Sequence, residues 1–232
     1  MHRWLWLLLV VIGGCGTAPE PAPEDAGGEP SAPAEPASTE LLLASPPAGW
    51  TETAVLNTPV LRMAEYGPPG AAPEGVVAPS ETVERVTFEA QRGAPLPDPI
   101  GFVLGVSRDL SERCDPYYDV NVSSGLENGY PTSVRLMICA EFRDSPQGQV
   151  VMAKAIQGNE QFYVITRRRT TGSIDDGTQP LTAQEMAEWT TYLNRIAVCD
   201  PGRDGHPCPA DMGVTAPAAP AAQSDAAAPS RS

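Results

Sequence analysis

The stretch that decides the predicted fold runs from Val134 to Phe142 and reads VRLMICAEF. Every second residue from Val134 onward is apolar, and Met137 and Cys139 add apolar side chains to the opposite face. Side chains of a β-strand point alternately to opposite faces, so this segment predicts a strand that is apolar on both sides. A sheet built around such a strand needs cover on both of its faces.

Further strand patterns occur on both sides of this stretch, at residues 60–66, 83–90, 118–122, 150–157 and 161–167. Asn128 and Gly129 lie between two strand segments and tolerate the positive φ angles of a hairpin turn. Gly158 and Asn159 separate the last two segments, which therefore read as a second hairpin. Together these patterns predict an antiparallel sheet of about six strands.

Two amphipathic segments predict the helices that cover this sheet. Thr182 and Glu185 form a capping box, in which each side chain accepts from the backbone N–H of the other residue. Apolar residues then recur at helical spacing, at Met186, Trp189, Leu193 and Ile196. The second segment runs from about Gly101 to Arg113. The sequence therefore predicts an α+β domain, an antiparallel sheet with helices on both faces, flanked by disordered segments.

The N-terminus has the pattern of a secretory signal. His2 and Arg3 precede an apolar run that is long enough to cross only about half of a bilayer core. The run ends in Ile12-Gly13-Gly14-Cys15, which resembles the lipobox of bacterial lipoproteins. The resemblance implies cleavage before Cys15 and acylation (diacylglyceryl and an N-acyl chain such as palmitate) of that residue. Gly16 in place of Asp implies the outer membrane, facing the periplasm. An ordinary signal peptide with an incidental cysteine is the alternative.

The number of cysteines also favours the periplasm, which is an oxidising compartment. Five cysteines are an odd number, and assigning Cys15 to the lipid leaves an even set. The remaining four allow three connectivities. Cys199 and Cys208 bracket a short loop, so we favour that pair together with Cys114–Cys139. Four buried, reduced thiols are the alternative.

Composition divides the chain into segments. Residues 1–14 form the predicted lipoprotein signal peptide, and residues 15–40 a lipidated cysteine with a disordered tether. Residues 17–40 contain six acidic residues, no Lys or Arg, and mostly Ala, Pro, Gly and Ser, which cannot bury enough apolar surface to fold. Residues 41–212 form a single predicted domain. Residues 213–232 are again rich in Ala and Pro, and we predict that they form a disordered tail.

A family resemblance covers about residues 45–200. Pro47-Ala-Gly-Trp50 opens the domain, several hairpins follow, and an amphipathic helix closes it. This order resembles the Mog1/PsbP-type α/β/α sandwich. Residues 127–132, 154–159 and 162–166 are also similar to small bacterial lipoproteins of unassigned function, whereas the Pro-rich insert at 68–79 and the four cysteines depart from the pattern. The resemblance implies a binding role, although a fold alone does not establish function.

Residues for catalysis are scarce. Only His2 and His206 occur, and His2 leaves with the predicted signal peptide. A nucleophile–histidine pair or a zinc site would depend on His206, which lies in a loop between two cysteines. The chain has no Gly-rich phosphate loop. We therefore predict no catalytic residues, no metal site and no cofactor.

Paired carboxylates keep one enzymatic alternative open. Asp175 and Asp176 lie on a predicted loop, and Asp200 and Asp204 lie before Cys208. Two carboxylates about 5–10 Å apart can act as acid and base in glycan hydrolysis. Asp-Asp-Gly is more often a solvated turn, and we weight that interpretation more heavily.

A second alternative is an anion or glycan site at Arg167, Arg168 and Arg169, which end a predicted strand. The competing interpretation places these arginines on the solvated rim of the sheet. Exposed aromatic residues would strengthen a binding role, and the candidates are Trp50, Tyr66, Tyr117, Tyr118 and Tyr130. Core packing is the default for most of them.

The sequence thus favours a non-enzymatic role. A net charge of −14 argues against a nucleic-acid partner, because phosphate neutralisation needs clustered Lys and Arg. We expect an outer-membrane-anchored periplasmic lipoprotein that acts as a binding or scaffolding module, contacting the membrane through its lipid and an envelope protein or glycan through its domain. The alternatives are an envelope glycan-acting enzyme that uses carboxylates, or a stress-related envelope protein that binds small anions.

Overall fold

The computed structural model describes residues 39–70, 80–91, 94–175 and 178–209. Within these ranges it contains nine strands and two helices. The strands are β1 (Leu41–Leu43), β2 (Thr51–Asn57), β3 (Leu61–Gly67), β4 (Glu81–Glu89), β5 (Tyr117–Glu127), β6 (Tyr130–Cys139), β7 (Gln147–Gln157), β8 (Gln161–Gly172) and β9 (Ala197–Cys199). The helices are α1 (Pro99–Arg113) and α2 (Ala183–Asn194).

Seven strands form one antiparallel sheet in the order β2-β3-β4-β8-β7-β6-β5. β4 and β8 pair in the middle although 71 residues separate the end of one from the start of the other in the chain. β1 and β9 form a separate two-stranded antiparallel sheet. The large sheet therefore has β2 and β5 as its two edges.

The predicted α+β architecture, with about six strands and helices on both faces, is wrong. Of the described residues, 48% lie in strands and 17% in helices, so the domain is mostly β. In the described part of the chain no layer of helices covers either face: a single helix, α1, packs on one, and α2 packs with the β1–β9 pair on the other. The strands β5, β7 and β8 are 11 or 12 residues long, and β1, β2 and β9 add to the six strands that the sequence predicts, so strands take up most of the domain.

The larger core lies on the α2 face of the sheet. Trp189 and Leu193 of α2 are fully buried against Met152 and Ile165 of the central strands. The capping box predicted for this helix is confirmed: Glu185 N donates to Thr182 Oγ1 at 3.2 Å, and Thr182 N donates to the Glu185 carboxylate at 2.8 Å. Burial of one apolar side chain of this size stabilises a fold by about 1.5–3 kcal/mol, so this face supplies most of the driving force.

The other face is covered by α1 over strands β5, β6 and β7. The Asp98 side chain caps the helix by accepting from Gly101 N at 2.7 Å, and Pro99 fills the first turn, where its missing N–H costs nothing. Val103 and Leu110 are buried beneath the helix. A disulfide then joins Cys114, directly after α1, to the last residue of β6.

The hairpin of β5 and β6 turns where the sequence predicts it. Asn128 and Gly129 have φ angles of 51° and 82°, which confirms the predicted turn. The Asn128 side chain donates to Val198 O at 2.8 Å, and the His206 ring packs so close to Gly129 that a Cβ there would lie 2.7 Å from it. This turn therefore joins the large sheet to β9 and its disulfide loop.

The segment before β1 is held by buried polar contacts. Glu40 is 9% exposed and accepts hydrogen bonds from Asn159 N at 2.7 Å and from Tyr163 Oη at 2.9 Å. Burial, followed by the charge of Glu40, raises the pKa of Tyr163 well above its usual value. Thr39 donates to Asp200 at 2.5 Å. The point at which the predicted tether joins the domain is therefore fixed to two separate loops.

Candidate functional site

Among the described residues, the β5 edge carries four of the ten exposed large apolar side chains. Tyr118, Val120, Val122 and Leu126 are 52%, 55%, 39% and 73% exposed. The nine residues from Tyr118 to Leu126 are almost all solvent-exposed, because only β6 pairs with this strand. An open strand edge presents unpaired backbone groups that a further strand can bond.

An apolar strip continues from this edge across the α2 face of the sheet. Tyr118 lies opposite Ile138, and Ile138 lies opposite Val150, so the three side chains form one row on the same face. A cavity of about 320 Å³ opens at the end of this row. Its lining comprises Ile138, Val150, Met186 and residues 179–183. We define the apolar strip as Tyr118, Val120, Ile138 and Met186, with Val150 and Leu181 buried at its inner end.

The strip stays open because α2 lies over the middle of the sheet. The core around Trp189 and Leu193 is centred on β7 and β8 and on their neighbours, whereas Tyr118 and Val120 at the edge remain half exposed. Ile138 and Met186 are partly buried between these two regions. The surface therefore runs without interruption from buried core to exposed edge, as in grooves that receive an extended peptide.

Charges along β5 are neutralised by neighbouring side chains. Asp119 accepts from Ser107 Oγ at 2.5 Å and from Arg135 Nε at 3.0 Å, and these hydrogen bonds, that of Ser107 first, hold its pKa below the usual value. At the other end of the strand, Glu127 Oε2 lies 2.5 Å from Lys154 Nζ. The edge therefore presents backbone and apolar groups with no uncompensated charge, which lowers the desolvation cost of covering it.

Lys154 is a buried cation on the α2 face of the sheet, four residues along β7 from Val150. It is the single lysine of the chain and is fully buried. Besides Glu127, its ammonium donates to Leu193 O at 3.0 Å, in the last turn of α2, and to Ile196 O at 2.8 Å, two residues beyond the helix. Burial lowers the pKa of Lys154 from its usual value, and the hydrogen bond to Glu127 opposes that shift. All three protons of the ammonium thus have an acceptor.

The arginines predicted as an anion site do not form one patch. All three lie on β8, where Arg167 and Arg169 share one face of the sheet and Arg168 points to the other. Each is within salt-bridge distance of a carboxylate: Arg167 and Arg169 contact Glu81 at 2.7 and 2.9 Å, and Arg168 contacts Glu84 at 2.9 Å. An incoming anion would have to displace these carboxylates, so the geometry gives the anion site no support and it stays a prediction.

Aromatic rings surround one of these arginines. The Arg167 guanidinium carbon lies 4.9 Å from the ring centre of Trp189, 5.6 Å from that of Trp50 and 5.7 Å from that of Tyr192. Arg169 also contacts Trp189, at 5.6 Å, and is bonded to Glu185 at 2.7 Å. Cation–π contacts of this kind stabilise a partly buried guanidinium. Arg167 and Arg169 of β8 therefore link the sheet to α2 through Trp189.

The candidate exposed aromatics divide between surface and core. Tyr118 is exposed, whereas Tyr66 and Tyr130 are buried and Trp50 and Tyr117 are partly buried. From the sequence, Tyr118 was one of five candidate exposed aromatic residues. The exposure of Val120, Val122 and Leu126 was not predicted. The alternating pattern at 118–122 indicated a strand, but its exposure depends on its place at the edge of the sheet, which no local pattern encodes.

The carboxylates and the histidine have structural contacts. Asp200 is 5% exposed and accepts from Gly202 N at 2.9 Å; hydrogen bonds from Thr39 and Gly202 outweigh its burial and lower its pKa. His206 Nδ1 lies 3.0 Å from Asn128 O. Asp175 and Asp204 lie in loops, and Asp176 lies outside the described residues. In the described ranges no group of three or more His, Cys, Asp or Glu residues is placed to hold a metal ion.

Four of the five cysteines form the two favoured disulfides. Cys114 is bonded to Cys139 and Cys199 to Cys208, which confirms both predicted pairs. The predicted lipidation residue, Cys15, lies outside the described residues together with the signal peptide, most of the tether and the tail. The signal peptide, the lipid on Cys15, the tether and the disordered tail therefore stay predictions.

Comparison with known proteins gave no match to this chain. Neither a scan against protein-family models nor a search of curated proteins gave a match. The resemblances to the Mog1/PsbP-type sandwich and to the lipobox therefore stay predictions. Within the described part of the chain, no helix has the length and apolar character needed to cross a membrane.

Proposed function

We propose that this protein is a non-enzymatic binding or scaffolding module of the bacterial cell envelope. A lipid on Cys15 holds it at the periplasmic face of the outer membrane, and residues 16–40 act as the tether. The domain binds an envelope protein along β5 and the apolar strip. The envelope location is supported by the sequence pattern at residues 1–16 and by the two disulfides, which form in oxidising compartments.

The observation that carries the binding role is the open β5 edge beside an apolar surface. An extended peptide can add to this edge through main-chain hydrogen bonds and place every second side chain beside Tyr118 and Val120, the outer end of the strip. Tyr118 and Val120 lie on the face that such side chains would share. The cavity beside Ile138 and Val150 is large enough for one apolar side chain.

The first experiment tests the anchor. In the wild-type chain we expect incorporation of labelled fatty acid and recovery in the membrane fraction, and Cys15→Ser should abolish both. The single lysine offers a second readout, because Lys154 is fully buried and leaves the α-amino group as the accessible amine of the mature chain. If Cys15 is N-acylated, the native protein resists an amine-reactive ester and gains one label on denaturation. One label on the native mature protein would contradict N-acylation of Cys15.

The second experiment tests the binding surface in cells. A photo-crosslinking amino acid at Tyr118 should give a discrete adduct on the full-length chain. Val55 provides a matched control, since it is 50% exposed and lies on the opposite edge strand, β2. Equal adducts from both positions, or none from Tyr118, would contradict a binding role for β5.

A further inference from the structure

We propose that the disulfide between Cys199 and Cys208 is a redox switch, which a dithiol opens while the domain stays folded. Burial distinguishes the two disulfides of the chain. Cys114 and Cys139 are 3% and 0% exposed, so their bond is closed to a reductant in the folded domain. Cys199 is also fully buried, whereas Cys208 is only partly buried.

Cys208 lies among exposed residues, which gives a reductant access to one end of this disulfide. Its neighbours Pro207 and Pro209 are exposed, and so are residues 202–205 of the same loop. Exposed disulfides are the labile and regulatory ones in proteins, whereas buried structural disulfides resist reduction. Cys208 Sγ is therefore the sulfur that is attacked, and the buried Cys199 is the leaving group.

The opening reaction is a thiol–disulfide exchange. One thiolate of the dithiol attacks Cys208 Sγ and forms a mixed disulfide. The bond to Cys199 breaks with its electron pair on Cys199 Sγ, which takes up a proton. The second thiolate of the reductant then attacks the reductant's own sulfur in the mixed disulfide and releases Cys208 as a thiol. In total the dithiol is oxidised to a disulfide, and two electrons and two protons pass to the two cysteines.

The loop that this disulfide closes holds the turn at the end of β5. His206 Nδ1 lies 3.0 Å from Asn128 O, and Asn128 Nδ2 donates to Pro207 O at 3.1 Å. The His206 ring also packs against Tyr130, with the two ring centres 4.3 Å apart. These contacts come from the two residues directly before Cys208, so they depend on the position of that cysteine.

The other end of the loop holds the segment before β1. Asp200 accepts from Thr39 Oγ1 at 2.5 Å, and Asp200 N donates to His206 O at 2.8 Å. This backbone bond links the two ends of the loop, so Asp200 loses a fixed neighbour when His206 moves. Opening the disulfide thereby loosens two attachments, one at the β5–β6 turn and one before β1. We expect the seven-stranded sheet to stay folded, because it keeps the buried disulfide and both helices.

Graded reduction of the full-length chain tests the switch. The folded protein is treated with dithiothreitol, its free thiols are alkylated, and peptide mapping follows each disulfide. We expect Cys199–Cys208 to open at least tenfold faster than Cys114–Cys139. Amide hydrogen exchange of the protein reduced at this one disulfide should then be at least tenfold faster in the turn peptide 126–132 and unchanged in the β7 peptide 147–157. Reoxidation with oxidised glutathione should restore the slow exchange.

The double substitution Cys199→Ser, Cys208→Ser is the matched control, because it lacks the switch and keeps the other disulfide. Its peptide 126–132 should exchange as fast as that of the reduced wild type and should not respond to dithiothreitol. The wild-type measurement stands alone if this variant does not fold. Opening of both disulfides at one rate would overturn the proposal, since reduction would then require unfolding. Selective opening that leaves exchange in 126–132 unchanged would overturn it as well.

Discussion

At the scale of single residues, Lys154 shows how a charged group can be held inside this β domain. Its ammonium is fully buried yet satisfied by Glu127 and by two carbonyls, one in the last turn of α2 and one two residues beyond the helix. A cation also interacts favourably with the C-terminal end of a helix dipole. One side chain thus ties the central strand β7, the hairpin end of β5 and the end of α2 to each other.

Replacing Lys154 by Met should lower the free energy of unfolding by about 2–4 kcal/mol, because two buried carbonyls and Glu127 lose their donor. Chemical denaturation followed by tryptophan fluorescence measures the loss. Arg62→Met is the control, since its bond to Glu89 lies at the surface and should change stability by less than about 1 kcal/mol. Equal effects of the two substitutions would contradict the role given to Lys154.

Glu185 gives the fold a defined pH dependence. Hydrogen bonds from the Thr182 backbone, then from Arg169 and the Thr182 hydroxyl, lower its pKa from 4.5 to about 2. A carboxyl whose folded pKa is depressed stabilises the fold fully above its unfolded value and loses this contribution as pH falls through the folded one. We therefore expect the stability difference between wild type and Glu185→Gln to be constant above about pH 5 and to shrink towards pH 2.

Thermal unfolding of both proteins at several pH values measures this difference. Glu188→Gln is the control, because Glu188 lies on the same helix and accepts a hydrogen bond from the neighbouring Gln184 side chain at 3.0 Å. A difference that grows as the pH falls from 5 to 2 would contradict the assignment.

At the scale of elements, the loop between Cys199 and Cys208 organises one end of the domain. It carries Asp200, which holds Thr39 before β1, and His206, which packs on the turn between β5 and β6. Its disulfide closes a short loop that follows β9 directly. This loop therefore couples the predicted tether to the strand that we propose as the binding edge.

The double substitution Cys199→Ser, Cys208→Ser should lower the free energy of unfolding by about 2–3 kcal/mol, the entropy of closing a loop of this length. It should also raise proteolysis before β1, where Thr39 loses a fixed partner. Limited proteolysis with mass spectrometry measures the second effect. Cleavage confined to the loop itself, with the segment at Thr39 unchanged, would contradict the coupling.

Local signals predicted some elements and not others. The capping box at Thr182 and the turn at Asn128-Gly129 are encoded by neighbouring residues, so both appear where the sequence predicts them. β1, β2 and β9 were missed, because strands of three residues, or an edge strand such as Thr51–Asn57, lack a clear alternating pattern. β1 and β9 depend on each other across more than 150 residues, whereas β2 pairs with β3 after a turn of three residues.

At the scale of the whole molecule, the sequence predicted the antiparallel sheet but not what covers it. The apolar residues of both faces of Val134–Phe142 were correctly read as needing cover, and helices were the cover we expected. The structure uses one helix on one face, and one helix with the β1–β9 pair on the other. Sheet order could not be predicted either, because the pairing of β4 with β8 is non-local, and this order is what leaves β5 at an edge.

We propose that β5 is paired with a partner strand in the envelope, and amide hydrogen exchange measures this pairing directly. Full-length chain in isolated membranes should exchange slowly in the peptide 117–127, and the same chain diluted in detergent should exchange it quickly, because outward amides of an unpaired edge are open to water. The β2 peptide 51–57 should exchange alike in both samples. Equal exchange of 117–127 in membranes and in dilute detergent would contradict the claim.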